Sequence, residues 1–307
     1  MNSANHPQDN SKLRGVWVAL ATPFDTAGEV CLKSLEKIID AQIAAGVDGF
    51  VPLGTTGESP TLTAAERDKV IAFTVEKARR HSKRVIAGCG GNDTKKVVEL
   101  VKSAATAGCD GTLVITPYYN KPTQEGLCQH FLAVAEASTI PVLLYHAPGR
   151  TGVTIAMETF VRLFEHPRIA GVKEASGNHQ TWLQLAERFG KTGKVLLSGD
   201  DDMMATFCAM GGQGIISASC NVLPKPFVRI WKQVQEGNFE AAFQLQLAIL
   251  PAVRAVFAET NPGPVKYGLS KLGFCENSLR SPLVPVRPET ERLVDQAFAQ
   301  MQKADLL

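Results

Sequence analysis

Short apolar runs alternate with longer amphipathic stretches along most of the chain. The runs lie at 15–20, 49–53, 85–87, 111–115, 142–145, 169–172, 195–197 and 214–217. They are continuous rather than alternating, which suits parallel strands covered on both faces. The spacing between them predicts helices. In 33–45, Leu35, Ile38, Ile39 and Ile43 form one stripe. Thr63 followed by Glu66 three residues later reads as a capping box opening a helix that runs to about residue 80. Asp93 or Thr94 caps the next, which ends near Ala107 and Gly108, and 124–137, 155–164, 180–189 and 201–210 follow. Eight strand–helix units predict an α/β fold, a closed (β/α)8 TIM barrel. A doubly wound sheet is built from the same unit, but usually from five or six strands. Residues 21–28 also lack the Gly-rich dinucleotide fingerprint expected after its first strand.

About ninety residues follow the eighth run. Helical patterns at 224–237, 238–257 and 262–272 exceed the one helix a barrel still requires, and a last helix is expected around 289–301. The expected organisation is a flexible tail over 1–12, the barrel over 13–224, and a C-terminal helical region over 225–307 packed on it.

Composition narrows the class further. The chain has 307 residues, 45% hydrophobic and 20% charged, with a formal net charge of +2, an ordinary balance for a globular protein. That balance leaves no electrostatic footprint for nucleic acid or anionic lipid. Seven cysteines with no CxxC pair point to buried free thiols rather than disulfides or a zinc site. Residues 1–11 are polar with no apolar leader, and no run of eighteen apolar residues is found, so no membrane association and a cytoplasmic location are expected.

A barrel enzyme collects its chemistry at the C-terminal ends of its strands. The second run leads into Gly54-Thr55-Thr56-Gly57-Glu58-Ser59. Its hydroxyls and freed backbone N–H groups suit a carboxylate or phosphate as well as an ordinary turn. It is not a P-loop, since no Gly-Lys-Ser/Thr closes it. The fourth run leads into Thr116-Pro117-Tyr118-Tyr119-Asn120, and the fifth ends in Tyr145-His146-Ala147-Pro148-Gly149-Arg150. The sixth runs directly into Lys173-Glu174. A lysine ending an apolar strand projects into the barrel mouth, where burial favours the neutral, nucleophilic amine. The set holds an amine, phenols, hydroxyls and an arginine, but no metal-ligand spacing and no nucleophile elbow. Imine formation with a 2-oxo acid uses every member.

These motifs, with 197–201, 211–217 and 261–266, resemble the dihydrodipicolinate synthase / N-acetylneuraminate lyase family, in order, from about residue 16 to 285. The resemblance implies a lyase of the class I aldolase type, with Lys173 as the imine-forming lysine and no other cofactor. Tyr145 falls on the proton-passing tyrosine. Thr56 links it to Tyr119, which reaches across from a neighbouring subunit. Thr55 and Thr56 receive the pyruvate carboxylate, and Arg150 binds the carboxylate of the second substrate. Ile216 presents its backbone carbonyl, and Gly199 lines the substrate site. The implied reaction is condensation of pyruvate with L-aspartate 4-semialdehyde; the alternative is another pyruvate-dependent aldolase or dehydratase acting on a 2-oxo sugar acid or an aromatic pyruvate adduct. The resemblance also implies a homotetramer, or at least a homodimer. His146 stands where synthases usually carry Asn, and an imidazole at the mouth is expected to fill the same space or alter the choice of acceptor. Lys96, at a place implied to line a lysine-binding pocket, repels an ammonium, so inhibition by lysine is expected to be weak or absent.

Overall fold

The structure, a computed structural model, describes residues 10–307. Residues 1–9 of the expected tail lie outside the described residues. Asn10–Leu13 form a turn of 3-10 helix, and buried Leu13 lies beneath the barrel, where its carbonyl accepts from Trp17 Nε1 at 3.0 Å.

Eight parallel strands close into a barrel in sequence order: β1 (Gly15–Ala19), β2 (Gly49–Val51), β3 (Arg84–Gly88), β4 (Gly111–Ile115), β5 (Val142–His146), β6 (Ile169–Glu174), β7 (Val195–Ser198) and β8 (Gly214–Ser217). Closure is direct, with Gly15 to Val18 of β1 paired to Gly214 to Ser217 of β8. Full closure favours the barrel over the doubly wound alternative because it leaves no strand edge. The interior is filled, not hollow. Trp17, Val51, Ile86, Leu113, Leu143 and Leu197 belong to the cluster inside it. Trp17 fits because Gly49 on the neighbouring strand has no side chain; a Cβ there would stand 2.3 Å from the indole ring.

Between the strands run α1 (Leu32–Ala45), α2 (Ala64–Arg80), α3 (Thr94–Thr106), α4 (Gln124–Ala137), α5 (Pro148–Thr151), α6 (Met157–Phe164), α7 (His179–Phe189) and α8 (Met204–Ala209). Their caps follow the sequence. Thr63 and Glu66 form the expected reciprocal box at the start of α2, and Asp93 accepts from the amides of Lys95 and Lys96 to open α3. The helix expected over 155–164 is α6, which starts two residues later, and the single turn α5 before it was not expected.

The C-terminal region adds α9 (Pro224–Gln235), α10 (Phe239–Val256), α11 (Gly263–Lys271) and α12 (Pro288–Lys303). Helix α9 packs on β1 and α1, and α10 packs on α8, α9, α11 and α12. With a mean hydropathy of 1.2 over 18 residues, α10 has the length and composition of a membrane span. Its buried side, with Gln246, Ile249, Ala252 and Val253, packs within this region, while Phe243 and Leu247 stay exposed.

Register at the β5–β6 pair places the chemistry. Val142 opposes Ile169, but Leu143 opposes Gly171, so β6 carries one extra residue in a bulge. Ala170 faces the interior, whereas Val172 packs toward the helices. Strict alternation would turn both the same way. The bulge resets the phase, setting Tyr145 opposite Lys173 and His146 opposite Glu174.

Candidate active site

Lys173 and Tyr145 lie one residue before the ends of adjacent strands and face the barrel mouth together. The Lys173 Nζ stands 4.3 Å from the centroid of the Tyr145 ring. The two residues are 7% and 9% exposed, so the amine sits against a phenol and largely out of water. Gly199, at the end of β7, keeps that space open. A Cβ at residue 199 would lie 2.8 Å from Lys173 Cε and 2.6 Å from Ala175 Cβ.

On the other side of the mouth the loop after β2 turns back sharply. Thr56 is buried, and its Oγ1 accepts from Asn261 Nδ2 at 2.9 Å. Glu58, with φ of 50°, is held in the left-handed region that a glutamate rarely adopts. Its carboxylate is fully engaged: Oε1 accepts from Lys266 Nζ at 2.5 Å and Oε2 from the Arg280 amide at 3.0 Å. Lys266 also donates to Ser278 O at 2.7 Å, and its ammonium lies 3.9 Å from the Phe24 ring centroid. Burial lowers the Lys266 pKa, and Glu58 opposes that shift. Arg280 then spans the Gly28 and Thr61 carbonyls and pairs with Glu66.

Two connected chambers result. The inner one, about 140 Å³, is lined by Lys173, Tyr145, Thr55, Thr56, Arg150, Gly199 and Ile216 among others. The outer one, about 300 Å³, opens over Tyr118, Pro262 and Leu283. They share Gly54, Thr55, Leu113, Tyr145, Arg150 and Asn261. Small size and convergent polar groups in the inner chamber suit a short keto acid, with room for a second substrate outside.

Tyr119 is the site residue that the fold does not bring in. It is 89% exposed, lines neither chamber, and holds φ at 70°. Its loop is nevertheless tied down: Asn120 Nδ2 donates to Asn92 O at 2.9 Å and Asn92 Nδ2 to Tyr118 O at 3.3 Å. His146 departs from expectation. It is fully buried and lines neither chamber. Side chains alternate along β5, so the residue after inward-facing Tyr145 turns outward, against Phe160 of α6. It therefore neither fills the mouth nor touches an acceptor there.

Several residues in the site carried no role in the sequence reading. Asn261 and Lys266 lie in a recognisable run, but their contact with Thr56 and Glu58 spans more than two hundred positions. Asp200 and Asp201 follow β7. Burial pushes the Asp200 carboxyl up to about 6, opposed by the Gly177 amide. Asp201 is raised by burial too, while Ser219, through its hydroxyl and its amide at 2.6 Å, pulls it back.

Residues 12–301 match the Dihydrodipicolinate synthetase family. The chain belongs to that family. Among its relatives, the 4-hydroxy-tetrahydrodipicolinate synthase of Gluconobacter oxydans is 43% identical over 97% of this chain and 99% of its own length. That of Bartonella bacilliformis is 42% identical over 93% and 97% respectively. The dihydrodipicolinate synthase structure from Thermotoga maritima superposes with a TM-score of 0.92 at 39% identity, covering 96% of this chain and 99% of that one. The Acinetobacter baumannii enzyme, solved with pyruvate, gives 0.90 at 37% identity over 96% and 99%.

Proposed function

We propose that this chain condenses pyruvate with L-aspartate 4-semialdehyde to give 4-hydroxy-tetrahydrodipicolinate, the ring-forming step toward diaminopimelate and lysine. The observation that carries the reading is the buried amine of Lys173 against the Tyr145 ring, in a chamber of about 140 Å³ that also holds two threonines and an arginine. The Lys173 nitrogen attacks the ketone carbon of pyruvate, and loss of water leaves an imine. Tyr145 carries protons for that step. Loss of a methyl proton then gives an enamine, with the imine nitrogen as electron sink, so the chemistry draws on no metal or organic cofactor. The enamine carbon bonds to the aldehyde carbon. Finally the substrate amine attacks the imine carbon, the ring closes, and Lys173 leaves as a free amine.

Thr55 and Thr56 hold the pyruvate carboxylate in this reading, and Arg150 forks onto the carboxylate of the semialdehyde. Gly199 leaves room for the adduct, and the Ile216 carbonyl faces it. Tyr119 serves a neighbouring subunit; its exposure and strained φ support an assembly of at least two chains, and a tetramer is the expected form. We also read the chain as a barrel over 13–224 braced by a helical region over 225–307, working in the cytoplasm.

Borohydride reduction with pyruvate is expected to add the reduced three-carbon adduct to Lys173, and Lys173→Ala is expected to abolish both labelling and turnover. An unlabelled wild-type protein would remove the imine mechanism. In an assay with a panel of aldehydes, semialdehyde consumption no faster than the rest would remove the acceptor assignment.

A further inference from the structure

We infer that His146 is a positioning residue that couples the two substrate subsites through its two ring nitrogens. The inference rests on the imine reaction proposed above. His146 and Glu174 stand opposite one another, one residue beyond the Tyr145–Lys173 pair, and face outward where that pair faces inward. His146 Nδ1 lies 2.5 Å from Glu174 Oε2, and the other oxygen, Oε1, accepts from the Ser176 amide at 2.7 Å. The Ile155 amide donates to His146 Nε2 at 3.2 Å. An N–H pointing at Nε2 requires a lone pair there, so the ring proton sits on Nδ1 and is donated to Glu174.

Each bond has its own consequence. The Nδ1 bond clamps the ends of β5 and β6 just past the bulge that sets Tyr145 opposite Lys173. Two backbone bonds reinforce the same corner: the Ala175 amide to His146 O at 2.9 Å, and the Gly199 amide to Glu174 O at 2.6 Å. The Nε2 bond pins the far end of the segment 147–155. Its near end continues directly from His146, and Arg150 lies between. One imidazole thus sets the phenol–amine distance through one nitrogen and the guanidinium position through the other, touching neither substrate. Burial of both His146 and Glu174 makes these bonds directional constraints.

Two substitutions separate the two bonds, because an Asn amide reaches about as far as Nδ1 and a Gln amide about as far as Nε2. His146→Asn keeps the Glu174 bond and releases Ile155. The expected result is a roughly tenfold higher KM for aspartate 4-semialdehyde, with borohydride trapping of pyruvate within about twofold of wild type. His146→Gln keeps Ile155 and releases Glu174. There, trapping at low pyruvate slows roughly tenfold and the aldehyde KM moves less. Parallel losses in both parameters for both variants, or no change in either, would overturn the proposal. If either variant is too unstable to assay, 15N spectra of histidine-labelled wild-type protein decide. An Nδ1–H neutral ring is expected for His146, and an Nε2–H tautomer would overturn it. Trapping in the wild-type protein tests the imine reading separately.

Discussion

The two sides of the barrel mouth are built in different ways. On one side, Tyr145 and Lys173 sit on neighbouring strands, and ladder register, clamped one residue on by His146 and Glu174, brings amine and phenol to 4.3 Å. On the other, the loop 54–59 has no ladder to hold it; turn bonds of its own and one from Thr22 shape its backbone, but its Thr56 and Glu58 side chains are held from far along the chain. Asn261 is 205 positions from Thr56, Lys266 is 208 from Glu58, and the Arg280 amide is 222 from the same carboxylate. The strand side is complete once the barrel closes. The loop side also draws on the C-terminal region, so the carboxylate subsite depends on tertiary contacts of high loop-closure cost.

The sharpest test of that contrast is Lys266→Met. It strands the Glu58 carboxylate in a dry site and is expected to cost about 3–5 kcal/mol in urea unfolding. The double replacement Glu58→Leu with Lys266→Met should recover much of that loss, since no unpaired charge remains. A change below about 1 kcal/mol for the single variant would mean that the loop holds itself, and the contrast would fail.

Titration is expected to separate the two sides by sign. Burial raises Asp200, on the strand side, to about 6 from an ordinary 3.8, so the folded chain keeps a proton that the unfolded chain gives up. Its contribution therefore falls as pH rises from about 4 through 6, by no more than about 3 kcal/mol, and Asp200→Asn should flatten that slope. On the loop side, the Arg280 guanidinium, with the Thr63 amide and hydroxyl, holds Glu66 down to about 2 from 4.5. That stabilisation is full above about 4.5 and is lost as pH falls through about 2. Solvent screening keeps it near 1 kcal/mol, and Glu66→Gln should remove it. Urea midpoints across pH for each variant against wild type read both slopes; slopes of the same sign would break the comparison.

The smallest expected effect is that of Asn261→Ala. Loss of the 2.9 Å bond to Thr56 should raise the KM for pyruvate roughly fivefold, while the maximal rate of borohydride trapping stays near that of wild type. A fall in that maximal rate instead would put Asn261 on the strand side of the chemistry.

Much of this was legible locally. The α4 bounds follow from periodicity, and the Thr63–Glu66 box marked the start of α2. Lys173 stood out because a charged residue ending an apolar strand has few places to go but the mouth. Other features had no local signature. The apolar run ended at residue 172, whereas β6 continues through Glu174, because Lys173 and Glu174 find ladder partners in β5. His146 looked like a mouth residue because it follows Tyr145 in sequence, yet alternation sends it to the opposite face. The turn α5 is four residues long, too short for a periodic pattern to register.

By itself the sequence determined the alternation of strands and helices, the barrel it closes into, and which side chains could do imine chemistry. Those depend on the side chains of near neighbours, and near neighbours are written in order. Only the tertiary structure decided which way those groups face and what holds them. A one-residue bulge in β6 turns Lys173 inward opposite Tyr145, and a segment more than two hundred positions away braces Thr56 and Glu58. A bulge comes from fitting one strand to the next, and a buried ion pair from chain ends meeting in space. Neither leaves a periodic trace in the order of residues.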